Sequence, residues 1–173
     1  IKSPPGKLIV HNEIKVFNNK KNKLLGINPG ATYGSSKRWY PKEFANTALA
    51  LSDQYDIIIF GGVNEKVIAK DIEEILIKNN IKNYQNLAGD TSINELINKI
   101  STLDLFITGD SGPMHLAAAF QIPTVSIFGS TNYKETSQWM NQNSKTVTKN
   151  LDCQPCMKRT CPLNHHNCMK MIK

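Results

Sequence analysis

The chain has no apolar run approaching the roughly 20 residues that span a bilayer as a helix, and nothing at its start follows the basic, apolar, small-residue order of a secretory leader. A soluble, cytoplasmic protein is expected. No internal repeat is visible, which excludes solenoid and propeller arrays. Cysteine is missing from the first 152 of the 173 residues, and no zinc-ribbon half-repeat occurs. Nor does methionine open the sequence: Ile1 does, and Ser3 to Gly6, S-P-P-G, reads as a linker, so a longer polypeptide is expected.

Charge is present but unevenly placed, and this too excludes something. Ile1 to Lys23 holds six lysines against one glutamate, and Lys134 to Lys173 seven basic against two acidic residues. Between them, Leu24 to Tyr133 has eight basic and eleven acidic residues, so the net charge of +7 sits on two flanking arms. A nucleic-acid surface would interleave basic and aromatic residues across the fold, so no nucleic-acid partner is expected. An anionic acceptor or peripheral contact with the acidic inner membrane suits such arms, and so does plain solubility.

With 40% hydrophobic residues the chain can bury one good core, which favours one α/β domain. Its centre is Leu103 to Thr131. Leu103 to Thr108 is a short apolar run against G-D-S-G-P, hence a buried strand and a turn. Pro113 suits the first position of a helix over Met114 to Phe120, Pro123 lies past its end, and Thr124 to Phe128 reads as the next strand. Such a βαβ unit puts ligands outside the carboxyl ends of its strands, where Gly109 to His115 falls. Gly112 and the first helical amides form a seat for an anion, Ser111 can add a hydroxyl, and His115 can reach the same anion. Asp110 would repel a phosphate and is assigned to sugar hydroxyls or to fixing the turn. The alternative is that Asp110 and Ser111 only cap the helix and that His115 is a packed, half-buried residue.

The rest of the chain repeats the alternation. Lys2 to Asn22 alternates weakly through Leu8, Val10, Ile14, Val16 and Phe17 and is peripheral. Lys23 to Asn28 is a strand, followed by a glycine-containing loop in which Thr32, Ser35, Ser36 and Lys37 can approach a phosphate, or in which an ordinary turn covers Trp39. Pro41 opens a helix with Phe44, Ala45, Ala48, Leu49 and Ser52 on one stripe. Asp56 to Phe60, D-I-I-I-F, is a continuous apolar strand of the kind buried on both faces, and Gly61 and Gly62 turn the chain. Glu65 opens a helix with an apolar face of Val67, Ile68, Ile72, Ile75 and Leu76; it either favours the helix N-terminus or accepts a hydrogen bond from a ribose or base. After a short segment, Tyr84 to Leu87, Ser92 and Glu95 stand at capping-box spacing before Ile93, Leu96, Ile97 and Ile100. The order β, α, β, α, β, α, β, α, β implies an α/β fold, a Rossmann-like parallel sheet with helices on both faces.

N-P-G-A-T-Y-G-S-S-K-R-W-Y-P, F-G-G-V-N-E, N-L-A-G-D-T-S and G-D-S-G-P-M-H-L-A-A-A, in this order over Lys23 to Trp139, together resemble the donor-binding half of the bacterial ADP-heptose:lipopolysaccharide heptosyltransferases, glycosyltransferase family 9. That family has two Rossmann-like domains facing a cleft, the GT-B arrangement, and this chain resembles the C-terminal one. The resemblance implies a domain over residues 23–149, preceded by a linker or peripheral segment (1–22) and followed by a Cys/His-rich tail (150–173). It implies that Thr32 and Lys37 hold the donor diphosphate, that Glu65 accepts from the adenosine ribose, and that Asp110, Ser111, Gly112 and His115 form the nucleotide-sugar loop. It further implies inverting transfer of heptose from ADP-heptose to the lipopolysaccharide inner core, with no metal cofactor required for catalysis. The general base belongs to the N-terminal domain, so no catalytic residue is expected in this stretch, which reads as a fragment. The competing class is a non-catalytic module that binds a nucleotide or an anionic glycan.

Cys153, Cys156, Cys161 and Cys168 give C-x2-C-x4-C-x6-C, with His165 and His166 in the last gap. The first pair has zinc-knuckle spacing, so a structural zinc is one reading, and reduced structural cysteines are the other.

Overall fold

The computed structural model describes Leu8 and residues 22–173. The peripheral segment expected before Lys23 therefore lies, apart from Leu8 and Asn22, outside the described residues. Six strands, β1 (Lys23–Asn28), β2 (Tyr55–Ile59), β3 (Tyr84–Asn86), β4 (Leu105–Gly109), β5 (Thr124–Ile127) and β6 (Ser144–Val147), form one sheet in the order β3-β2-β1-β4-β5-β6. Every neighbouring pair is parallel. The helices are α1 (Pro41–Leu51), α2 (Lys66–Lys78), α3 (Ile93–Ser101), α4 (Gly112–Ala119) and the single turns α5 (Tyr133–Thr136) and α6 (Asn167–Lys170). None of the helices among the described residues is long and apolar enough to cross a membrane.

Period-2 alternation sends strand residues to two opposite cores. Leu25, Ile27, Ile57, Ile59 and Ile107 pack with Phe44 and Ala48 of α1 and Ala69, Ile72 and Leu76 of α2. Leu24, Ile58, Phe60 and Phe106 pack on the other side with Ile100 of α3 and Ala117 of α4. This is the Rossmann-like sheet, covered on both faces, that the alternation implied. Each fully buried Ile, Leu or Phe contributes about 1.5–3 kcal/mol. The starts of α1 and α4 carry proline in the first helical positions, and α3 has its capping box: the Ser92 hydroxyl accepts from the Glu95 amide while the Glu95 carboxylate accepts from the Ser92 amide (2.8 Å).

Two expectations fail at helix starts. Val67 and Ile93, read as parts of buried stripes, are 72% and 75% exposed. Both lie in the first turn of a helix that begins at the carboxyl edge of the sheet, where no strand remains to cover them. β6 and α6 were not expected at all. β6 is a half-exposed edge strand without apolar alternation, and α6 buries Cys168 and Met169 against the α1 side of the sheet. Trp39 is packed as anticipated, 5% exposed, its indole donating to the Ile172 carbonyl (3.1 Å) and its ring edge-on to Phe44.

Candidate functional site

In the strand order 3-2-1-4-5-6 the chain turns to opposite sides after β1 and β4, and the crevice between the carboxyl ends of those strands is where such sheets bind ligands. Asn28 and Thr108 are register partners at that end. Three glycine-bearing loops, after β1, β2 and β4, meet there around a cavity of about 520 Å³. All of Thr32, Lys37, Glu65, Asp110, Ser111, Gly112 and His115 line it. Residues predicted from motifs up to 83 positions apart are thus neighbours.

The turn after β4 is held by an ion pair. Lys37 lies 2.6 Å from Asp110, with side chains 13% and 6% exposed, and the Thr131 hydroxyl donates to the same Asp110 oxygen at 2.6 Å. These two contacts fix the turn, one of the two roles expected of Asp110. The Lys37 ammonium also sits 4.6 Å from the centre of the Tyr33 ring. An ammonium has three donors, so this pairing leaves Lys37 donors for a ligand.

Ser111 does not cap α4: its side chain makes no cap hydrogen bond. Its hydroxyl accepts from the side-chain Nδ2 of Asn28 (3.2 Å) and shares a hydrogen bond with the Thr108 hydroxyl (3.0 Å). The amides at the start of α4 are therefore without a side-chain cap from Ser111, next to the cavity. Gly112 has no heavy atom near where a Cβ would sit, so the approach to those amides is open. His115, one turn on, is exposed, which rules out the packed, half-buried alternative.

Glu65 is buried at the end of a short 3-10 turn, Val63–Glu65, where its carboxylate accepts from the Gly62 amide (2.7 Å). A Cβ on Gly30 would land on that carboxylate, so the β1 loop can close over Glu65 only with glycine there. Ile93, Leu96 and Pro113 add an apolar wall to the same cavity. A cavity with an apolar wall, a buried carboxylate, an uncapped helix N-terminus and a lysine is suited to a ligand with a flat apolar part, hydroxyls and a phosphate. Asn28, Tyr33 and Thr131, which position these groups, carry no signal of that role in the sequence.

Behind this loop lies the tail. The Ser36 amide donates to the Arg159 carbonyl (3.1 Å), the Ser36 hydroxyl bonds Ser130 (2.9 Å) and the Lys158 carbonyl, and the Tyr33 hydroxyl donates to the Met157 carbonyl (3.0 Å). Among the described residues no three His, Cys, Asp or Glu side chains stand ready to hold a metal ion.

The pattern of glycosyltransferase family 9 (heptosyltransferase) matches residues 7–167. Lipooligosaccharide heptosyltransferase 2 of Campylobacter jejuni is 49% identical over 170 residues, which are 98% of this chain and 52% of that protein. The structure of E. coli ADP-heptose lps heptosyltransferase II is 26% identical with a TM-score of 0.68, covering 76% of this chain and 40% of that one. The iron-containing dodecameric glycosyltransferase TibC of enterotoxigenic E. coli shares the fold alone, at 16% identity and TM-score 0.70, over 99% of this chain and 46% of that one. The chain spans about half the length of the Campylobacter relatives it matches.

Proposed function

The chain belongs to glycosyltransferase family 9, the heptosyltransferases, and from that premise we propose that these residues form the donor half of a GT-B enzyme, binding ADP-heptose for transfer to the lipopolysaccharide inner core. The observation that carries the reading is the convergence of the three glycine loops, with all seven motif residues, on one cavity at the switch point of the sheet. The names of the Campylobacter and E. coli relatives, lipooligosaccharide and ADP-heptose heptosyltransferases, support the donor and acceptor. Family membership favours the enzyme over a module that only binds.

The diphosphate sits at the α4 N-terminus, with Lys37 and Thr32 on one side and His115 on the other, and the ribose hydroxyls donate to Glu65. The adenine rests on the apolar wall of Ile93 and Leu96. In the reaction an acceptor hydroxyl attacks the anomeric carbon from the face opposite the leaving group, so configuration inverts. The bond from that carbon to the β-phosphate oxygen breaks, and its electron pair leaves with ADP. The hydroxyl proton passes to a base supplied by the N-terminal domain that faces this one across the cleft. Charge grows on the β-phosphate as the bond breaks, so the amides of α4, Lys37 and His115 stabilise the transition state more than the ground state. Losing one such donor costs about 3 kcal/mol, or roughly a hundredfold in rate. Helix dipole and side-chain cations supply the electrostatic task, so no catalytic metal is required.

Amide chemical-shift mapping tests the placement. ADP should move the amides of Gly30, Gly62 and Gly112 together. Shifts confined to other cavities, such as that lined by Lys82 and Asn86, would overturn it.

A further inference from the structure

The four cysteines, separated by up to 15 positions, line one small cavity of about 20 Å³, the room of a single water-sized sphere. None is in a disulfide. Cys168 is buried, on α6, and faces the same cavity as Cys153, Cys156 and Cys161. The His166 amide donates to the Cys161 sulfur at 3.4 Å. Of the two histidines that also line the cavity, His166 is engaged through both ring nitrogens and His165 through one. His166 bonds the Ser36 carbonyl and the Tyr40 hydroxyl through its two ring nitrogens (3.2 Å each), and the His165 Nδ1 accepts from the Asn167 amide (3.0 Å). The only four thiol ligands in the sequence thus surround a void of ionic size.

We propose that Cys153, Cys156, Cys161 and Cys168 close on a single thiophilic metal ion, in the tetrahedral all-sulfur geometry that zinc and iron accept, and that this knot braces the phosphate loop. As placed, the thiols ring the cavity without standing in a coordinating arrangement, so binding draws them inward, each releasing its proton to solvent. Lys158 and Arg159, between the second and third ligands, offset the negative charge of four thiolates around a divalent ion. The brace runs through the backbone: the segment between Cys156 and Cys161 supplies the Met157, Lys158 and Arg159 carbonyls that hold Tyr33 and Ser36. A Cβ on Gly34 would collide with the Arg159 carbonyl, so loop and knot meet at backbone distance. The metal site itself does not rest on the glycosyltransferase reading. Only the function of the braced loop does.

The test uses protein purified under reducing conditions. Elemental analysis for zinc and iron should give about one ion per chain. After removal by chelator and dialysis, cobalt should bind at one equivalent with the sulfur-to-cobalt charge-transfer absorption of four thiolates. Cys156→Ser and Cys161→Ser should each lose that absorption, and chelator should lower the melting temperature of the parent while leaving these variants unmoved. Four freely titrating thiols, no stoichiometric zinc, iron or cobalt and an unchanged melt with chelator would overturn the proposal, as would two disulfides by mass spectrometry of the reduced preparation. Because metal content is read without nucleotide, a failure of ADP to bind leaves this result intact.

Discussion

Replacing Lys37 by alanine should separate stability from binding, because the residue serves both. Its ammonium is 2.6 Å from Asp110, and the two side chains are 13% and 6% exposed. Removing one member of a buried pair leaves the other charge uncompensated, at about 3–5 kcal/mol. Asp110 keeps the Thr131 hydroxyl at 2.6 Å, which places Lys37→Ala at the lower end, about 3 kcal/mol. For a protein of this size each kcal/mol shifts the melt by about 2–4 °C, so a fall of about 6–12 °C is expected. Loss of a charge-assisted hydrogen bond to phosphate should also weaken ADP by about tenfold or more. Neutralising both partners, Lys37→Met with Asp110→Asn, should recover most of the stability and none of the affinity, since the pair is then no longer half-broken while the phosphate donor is still gone. Differential scanning calorimetry and ADP titration on the same samples read both quantities. A Lys37→Ala protein that melts with the parent, or a double variant no more stable than the single one, would refute the account of the pair.

His115 is exposed, so His115→Ala should leave stability within about 0.5 kcal/mol while weakening ADP more than adenosine; equal losses for both ligands in titration would remove His115 from the phosphates. Glu65→Gln should weaken ADP and adenosine alike, and a loss limited to ADP would contradict its place at the ribose. The Ser92 amide and hydroxyl hold the Glu95 carboxyl below its usual range. The stability this gives α3 is fully present above the ordinary carboxylate pKa and is lost as pH falls through the lowered value. Glu95→Gln should therefore flatten part of the acid limb of a stability-against-pH curve, and an unchanged limb would show that the capping box does not couple to folding.

Much of this fold was legible because parallel strands buried on both faces read as continuous apolar runs, and because Pro41, Pro113 and the Ser92–Glu95 pair mark helix starts chemically. All seven residues read from the motifs line the cavity, beside others such as Asn28 and Tyr33 that were not. What stayed hidden depends on contacts across the chain. Nothing local to Thr131 says that it will meet Asp110, or that Asn28 will turn Ser111 away from the helix it precedes. Periodicity gave Val67 and Ile93 a face but not the edge of the sheet, beyond which that face meets solvent. The apolar residues of the tail follow neither a helical nor a strand period, so its docking through Met169 and Ile172 under Trp39 left little pattern to read.

The central claim is that the cavity between β1 and β4 seats a nucleotide by its diphosphate. Calorimetric titration of the unmodified protein with ADP and with adenosine, at one ionic strength, tests this most directly, because the difference between the two ligands isolates the phosphates. ADP should bind the more tightly by at least tenfold, with a gap that narrows in Lys37→Ala and His115→Ala. Equal affinities, or no measurable ADP binding by folded protein, would contradict it.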